Sequence, residues 1–185
     1  MRLRDWTLRE IAQGKPWGHP THAMFIHFPT ALYPVALVCG LISAVQSSAD
    51  AARGAALLLG LGLAGTVPAV ATGLLDWLGM VPGSTKRRTA TRHMLYQLAA
   101  QALALVAFAL HIRALGSPSP TAALFALAFG IAVMLAGNWI GGVLVYRMAM
   151  RVGGSREPAH PRRKLDDRAL HEQPAEGQVR AHDRP

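Results

Sequence analysis

A chain of 185 residues with 51% apolar and 16% charged side chains has one domain's length but too few charges to cover a water-soluble surface. Between Ile11 and Arg156 the acidic residues are Asp50 and Asp76 alone, so lipid is the expected solvent for most of the chain. The net charge of +9 then belongs to helix ends facing headgroups and not to a nucleic-acid footprint, and a single cysteine, Cys39, excludes a disulfide framework within one chain.

Residues 1–20 form a basic arm, with Arg2, Arg4, Arg9 and Lys15 among Leu3, Trp6 and Ile11. Such a pattern suits a short helix lying in the headgroup layer, or a loosely ordered arm. The first apolar run begins near Ala23, after a polar and proline-rich stretch, and is too long for a signal core, so no cleavable signal pattern is expected.

Four apolar runs follow, at about 23–46, 54–80, 92–113 and 121–150, within a domain spanning 21–151. Each reaches the roughly 20 residues needed to cross a hydrocarbon core, and only helices satisfy their own backbone there. Short connections make sequential helices antiparallel neighbours, so the expected fold is all-α, an integral membrane up-down four-helix bundle. Pro34 and Pro68 are expected to kink their helices. Gly137 and Gly141, and the cluster Gly60, Gly62 and Gly65, allow close helix approach, either inside the bundle or in a homodimer. Embedded in an apolar span, Gly60-x-Gly62-x-x-Gly65 is helix packing and not a phosphate loop. Residues 152–185 are polar and rich in proline, and read as a disordered cytoplasmic tail.

The basic residues set the orientation. The arm, the second loop (Lys86, Arg87, Arg88, Arg92) and the exit of the last helix (Arg147, Arg151, Arg156) share one side if there are four spans. The positive-inside rule makes that side, with both termini, cytoplasmic.

That topology returns the out-of-place polar residues to one level. His22 and His27 open the first span, Asp76 and Trp77 end the second, His93 opens the third, and Tyr146 and Arg147 end the fourth. Asn138 lies roughly 12 Å deeper at 1.5 Å per residue. Two readings stand side by side: a network such as Asp76 with Arg147 or His93 that locks helix ends, or a functional cluster.

The histidines carry the chemistry available. His19 and His22 are three apart, a spacing that suits a metal ion, and with His27 they form a candidate metal-binding set. His27 precedes Phe28-Pro29, so a helix either starts near His27 or starts near Pro20 and bends at Pro29, and both leave backbone groups without partners. His93 and His111 share a helix face about 27 Å apart. His111 has no histidine partner on another helix and is expected to reach headgroups. His27 and His93 lie on different helices, and two neutral imidazoles hold one haem iron, so a single haem b between the first and third helices fits the histidine count.

One combined pattern resembles a known family. It runs His19-Pro20-x-His22-x4-His27-Phe28-Pro29, then Gly73-Leu74-Leu75-Asp76-Trp77, then His93, then Gly137-x-Trp139-x-Gly141-Gly142-x-Leu144-Val145-Tyr146-Arg147. It is similar to the bacterial four-span predicted membrane proteins known as domain of unknown function two-two-three-one, from about Gly18 to Arg151. The resemblance implies a multi-pass inner-membrane domain, likened to di-haem cytochrome b bundles, with His19, His22, His27, Asp76, His93 and Tyr146 as signature positions. Ala23 stands where the family often has proline, and Tyr96-Gln97 replaces a common Leu-Asn pair.

Three functions compete. The first is a b-type haem module with His27 and His93 as ligands, passing electrons between quinone and a redox partner. The second is a metal-binding membrane protein using His19, His22 and His27, with Asp76 or His93 joining them. The third is a non-catalytic structural or accessory subunit, in which Asp76, Asn138, Tyr146 and Arg147 only pin helices together. Nothing in the chain resembles a hydrolase, kinase or nucleotide site, and enzymatic activity is left open. Four spans, no evident inverted repeat and one carboxylate at depth speak against a transporter.

Overall fold

The computed structural model describes residues 6–151, and among them every regular element is helical. The tail expected over 152–185 and the first residues of the arm lie outside the described residues.

The described part of the arm, from Trp6 on, is folded. Helix α1 (Leu8–Ala12) is closed by a capping box, in which Thr7 Oγ1 accepts from the Glu10 N–H at 3.3 Å and Glu10 Oε2 accepts from the Thr7 N–H at 3.0 Å. The chain then reverses at Gly14, whose φ of +74° and whose space require glycine: a Cβ there would lie 1.8 Å from the His19 carbonyl oxygen. A 3₁₀ turn over Lys15–Trp17 leads into α2 (Thr21–Phe25).

Helices α2 and α3 (His27–Gln46) make up the first span. They are separated at Ile26 because Pro29 lacks the N–H that would close on the Phe25 carbonyl. Both sequence alternatives are therefore half right: the helix begins after Pro20 and restarts at His27.

The second span, α4 (Ala49–Leu78), begins five residues before the expected Gly54. Ser48 caps it, its Oγ accepting from the Ala51 N–H at 3.2 Å, with Asp50 in the first turn. The third span, α5 (Thr85–Arg113), likewise begins early, capped by Ser84 Oγ on the Arg87 N–H at 3.2 Å. Lys86, Arg87, Arg88 and Arg92 thus lie in the opening turns of a helix and not in a loop. The fourth span, α6 (Thr121–Gly142), runs into a π-helical turn over Val143–Arg147. Helices α3 and α4 continue through Pro34 and Pro68.

The spans hold 26, 30, 29 and 27 residues. Thirty residues rise about 45 Å, more than the roughly 30 Å of hydrocarbon, so helix ends stand in the headgroup layers. Helices α3 and α4 form one close pair, α5 and α6 another, and contacts of α4 with α5 and of α3 with α6 close the ring. The buried seam is built largely from small residues, Ala36, Ala100, Ala104 and Ala107, with Tyr33, Leu59, Leu127 and Met134 between them. Larger apolar residues such as Val45, Val67, Phe125 and Phe129 face outward. That inversion is the packing expected where lipid is the solvent and small residues let helices approach.

The glycines act inside this chain. A Cβ on Gly62 would sit 2.5 Å from the Tyr33 ring, one on Gly137 2.7 Å from Gln97 Nε2, and one on Gly141 3.0 Å from the His93 ring.

Candidate functional site

At the end of the bundle where α1 lies, the first feature is a cap. The last four carbonyls of a helix lack intrahelical partners. Arg9 donates to the Leu75 carbonyl of α4 at 2.7 Å, and Gln13 Nε2 donates to the same oxygen at 3.0 Å. A guanidinium at a helix C-terminus also meets the negative end of the macrodipole. Thr21 Oγ1 ties the arm to the first span by donating to the Ala12 carbonyl at 2.5 Å.

Gln13 Nε2 also reaches Asp76 Oδ1 at 2.9 Å, and Arg151 pairs with that oxygen at 2.6 Å. The Asp76 side chain is 7% exposed, so the pair and the amide satisfy a carboxylate that would otherwise be costly to bury. Asp76 is thus bonded to Gln13 and to Arg151, and not to the expected Arg147 or His93. Arg147 is exposed, and Tyr146 is 88% exposed. Neither joins the cluster: the π-helical turn over Val143–Arg147 buries Leu144 and leaves both of them exposed. Beside this, Trp77 Nε1 donates to Thr91 Oγ1 at 2.9 Å, and the Arg87 guanidinium lies 4.0 Å from the Trp77 ring centroid.

The histidine that meets His93 is His22, and not His27. Their ring centroids are 6.4 Å apart with planes at 88°. His22 Nδ1 lies 2.8 Å from the Ala69 carbonyl of α4, and His93 Nδ1 lies 2.7 Å from the Gly137 carbonyl of α6. A carbonyl can only accept, so each Nδ1 carries the proton, and in the neutral ring Nε2 keeps its lone pair. Among the described residues neither Nε2 has a hydrogen-bond partner. Each ring rests on a glycine one turn beyond its carbonyl: a Cβ on Gly73 would lie 2.8 Å from His22 Cε1, and one on Gly141 3.0 Å from His93 Cε1. Both rings are half-buried.

The other candidates stand apart. His27 is exposed, its Nδ1 3.2 Å from the Met24 carbonyl of its own turn. His19 is exposed too, its Nδ1 3.3 Å from the Trp17 carbonyl. The structure therefore does not gather His19, His22 and His27, and among the described residues no three His, Cys, Asp or Glu side chains are placed to share a metal ion. Asn138 is half-buried and accepts from Gln97 Nε2 at 2.8 Å, an interhelical bond one turn into the membrane from His93.

Several polar residues here were not singled out by the sequence. Gln13 and Arg151 lie outside the apolar runs, where nothing marked them as partners of Asp76. Tyr33 and Thr66 both donate to Gln101 Oε1, at 2.5 and 3.0 Å, in mid-membrane. Gln101 inside an apolar run was the available signal. At the far end His111 is 3% exposed and does not reach headgroups. Its Nδ1 donates to the Ala107 carbonyl at 2.9 Å, and its Nε2 accepts from Ser119 Oγ at 3.2 Å.

A family model described as "Predicted membrane protein (DUF2231)" matches residues 18–154. No curated protein and no solved structure matches the chain.

Proposed function

The chain belongs to the DUF2231 family of predicted membrane proteins, and within that multi-pass bundle we propose that it serves as a b-type haem-binding electron-transfer module, in which His22 and His93 would hold the iron. The observation that carries this is the pair of imidazoles from different helices, 6.4 Å between centroids, each with Nδ1 fixed on a carbonyl and Nε2 left to bind. Orientation of a ligating histidine through its other nitrogen is how proteins fix tautomer and raise ligand basicity.

The donor set suits haem better than a bare ion. Two imidazoles complete the axial positions of a haem iron, whereas a protein-bound zinc draws three or four protein ligands. Gly73 and Gly141 keep clear the space against each ring that a Cβ would fill. When bound, haem would supply a one-electron couple between a quinol in the bilayer and a redox partner on the cytoplasmic face, the side that the positive-inside rule assigns to the α1 end. The chain's own part is to hold both rings in one tautomer, by carbonyls of α4 and α6, and to keep a cation on Asp76 one turn beyond Gly73.

An absorption spectrum of the purified protein, oxidised and then dithionite-reduced after expression with haem supply, tests the reading. A Soret band with sharpened α and β bands on reduction is expected, and its loss in His22→Ala. Wild-type protein without a Soret band would leave the structural-subunit reading in its place. The two imidazoles would then be interhelical pins, and His22→Ala would lower thermal stability alone.

A further inference from the structure

The two halves of the bundle follow one pattern. In the first helix of each half, the buried positions after His22 are Pro29, Tyr33, Ala36, Gly40 and, at the far end, Ser43. After His93, at the same spacings, they are Ala100, Ala104, Ala107 and His111. In the second helix of the first half, Ala55, Leu59, Gly62, Thr66, Ala69 and Asp76 are buried, with Ala52, Ala56 and Thr72 buried besides and without a buried counterpart. In the last span the same steps give Ala123, Leu127, Gly130, Met134, Gly137 and, in the π-helical turn, Leu144. Alanine, leucine and glycine recur at Ala36 and Ala107, at Leu59 and Leu127, and at Gly62 and Gly130.

The histidine seats repeat as well. Ala69 and Gly137 supply the carbonyls, and Gly73 and Gly141, each four residues on, supply the glycines. Unrelated amphipathic helices share a period, because 3.6 residues per turn is common to all. They have no reason to share the register of that period relative to a histidine and, at the same time, the carbonyl and glycine it docks on. Both halves run in the same direction, so they are parallel repeats, related by an axis along the membrane normal.

We propose that the chain is a tandem duplication of a two-helix unit, that its ligand site lies on the quasi-two-fold axis, and that each unit gives one axial imidazole to a single haem whose two ring planes are held perpendicular. The proposal rests on the haem reading above. It adds the stoichiometry, the equivalence of the two ligands and their relative orientation. The orientation is fixed because each ring is clamped within its own unit, by a carbonyl and a glycine of its partner helix, so neither ring is free to rotate into the plane of the other. The far end is half a site: His111 is there in the second unit, but the equivalent position in the first is Gly40. His111 Nε2 is already held by Ser119. One haem per chain follows, where two would be expected from a bundle with a histidine pair at each end.

Low-temperature electron paramagnetic resonance of the oxidised full-length protein tests this. Perpendicular imidazole planes leave the iron dxz and dyz orbitals nearly degenerate, giving a highly anisotropic low-spin signal, whereas parallel planes give a resolved rhombic one. The expected result is one haem per chain with the anisotropic signal. His22→Gly and His93→Gly should each convert it to the same high-spin spectrum, with low spin restored by added imidazole. His27→Ala and His111→Ala should keep the wild-type signal. Imidazole rescue separates ligand loss from misfolding. Wild-type protein that binds no haem would overturn the electron-transfer reading and this inference with it. Haem that gives a rhombic signal, binds at two per chain, or loses its ligand in His27→Ala would overturn the inference and leave the module reading standing.

Discussion

Arg151 closes on Asp76 at 2.6 Å although it lies in a turn beyond the last helical element, and Gln13 of the arm bonds the same carboxylate oxygen. The backbone enters the left-handed region at Ala149 (φ +48°) and Arg151 (φ +60°) as it turns under the bundle to make this contact. Breaking a buried pair by removing one partner leaves an uncompensated charge. Arg151→Ala is therefore expected to destabilise the detergent-solubilised protein by about 1–3 kcal/mol, below the fully buried range because the Arg151 side chain is 21% exposed. Adding Asp76→Asn to that variant should recover part of the loss. Arg147→Ala should change stability by no more than about 0.5 kcal/mol. Thermal unfolding of the wild type and the three variants measures this, and Arg147→Ala costing as much as Arg151→Ala would refute the assignment.

The same corner shows which facts a sequence holds. Spans were legible because apolar composition over some twenty residues needs no partner to be read. Which histidine faces His93 was not. His22 and His27 are five residues apart, about 140° round a helix at 100° per residue, so at most one of them can face the bundle. Choosing between them requires the helix rotation, which is set by packing and by the break at Ile26. Arg147 and Arg151 pose the same problem, decided by the π-helical turn before Met148. The early starts of α4 and α5 were signalled locally by Ser48 and Ser84, each followed three residues on by the N–H it caps, and apolar run-length masked both.

Gln101 Oε1 accepts from Tyr33 and from Thr66, linking three spans through one atom. Thr66 Oγ1 also lies 3.0 Å from the Gly62 carbonyl and keeps that partner if Gln101 is lost, while Tyr33 is 1% exposed and keeps none. Gln101→Leu is expected to cost about 0.6–1.7 kcal/mol, the range of interhelical hydrogen bonds in lipid. In a Tyr33→Phe background the same change should cost less, since the orphaned hydroxyl is gone. A double-mutant cycle on unfolding free energies reads this directly, and strict additivity would mean the hydroxyl does not depend on Gln101.

The Glu10 carboxyl is held below its ordinary value, first by the backbone N–H of Thr7, then by the Thr7 hydroxyl and Lys15. A lowered folded pKa means that the contribution to the capping box is present above the unfolded value of 4.5 and is lost as pH falls through the lower folded value. Acidification below 4.5 should therefore release the Thr7 amide while the bundle stays folded. The Thr7 N–H resonance followed against pH should titrate with a midpoint under 4.5 in wild type and stay flat in Glu10→Gln. A midpoint above 4.5 would contradict the capping geometry.

At the far end, His111, Ser119, Ser43 and Ser48 form a chain of hydrogen bonds with no loose member. Ser119 Oγ donates to His111 Nε2, the Ser119 N–H donates to Ser43 Oγ at 2.9 Å, and Ser43 Oγ donates to the Ser48 carbonyl at 2.7 Å. The chain ties the loop after α5 to the end of α3, so it closes the bundle where the repeats diverge and Gly40 makes room. A Cβ on Gly40 would lie 3.7 Å from His111 Nε2 and 2.6 Å from Leu124, so the glycine lets α3 approach both. His111→Ala would empty the ring's volume and leave the Ser119 hydroxyl without its acceptor, a loss of about 2–4 kcal/mol when the cavity and the orphaned group act together. His111→Gln offers an acceptor near the same place and should recover part of it. Because this network lies about 27 Å along α5 from the His22–His93 pair, both variants should leave any visible absorption unchanged while unfolding at lower temperature. Unfolding followed in detergent alongside the spectrum separates the two ends of the molecule, and a spectral change without loss of stability would place His111 in the ligand site instead.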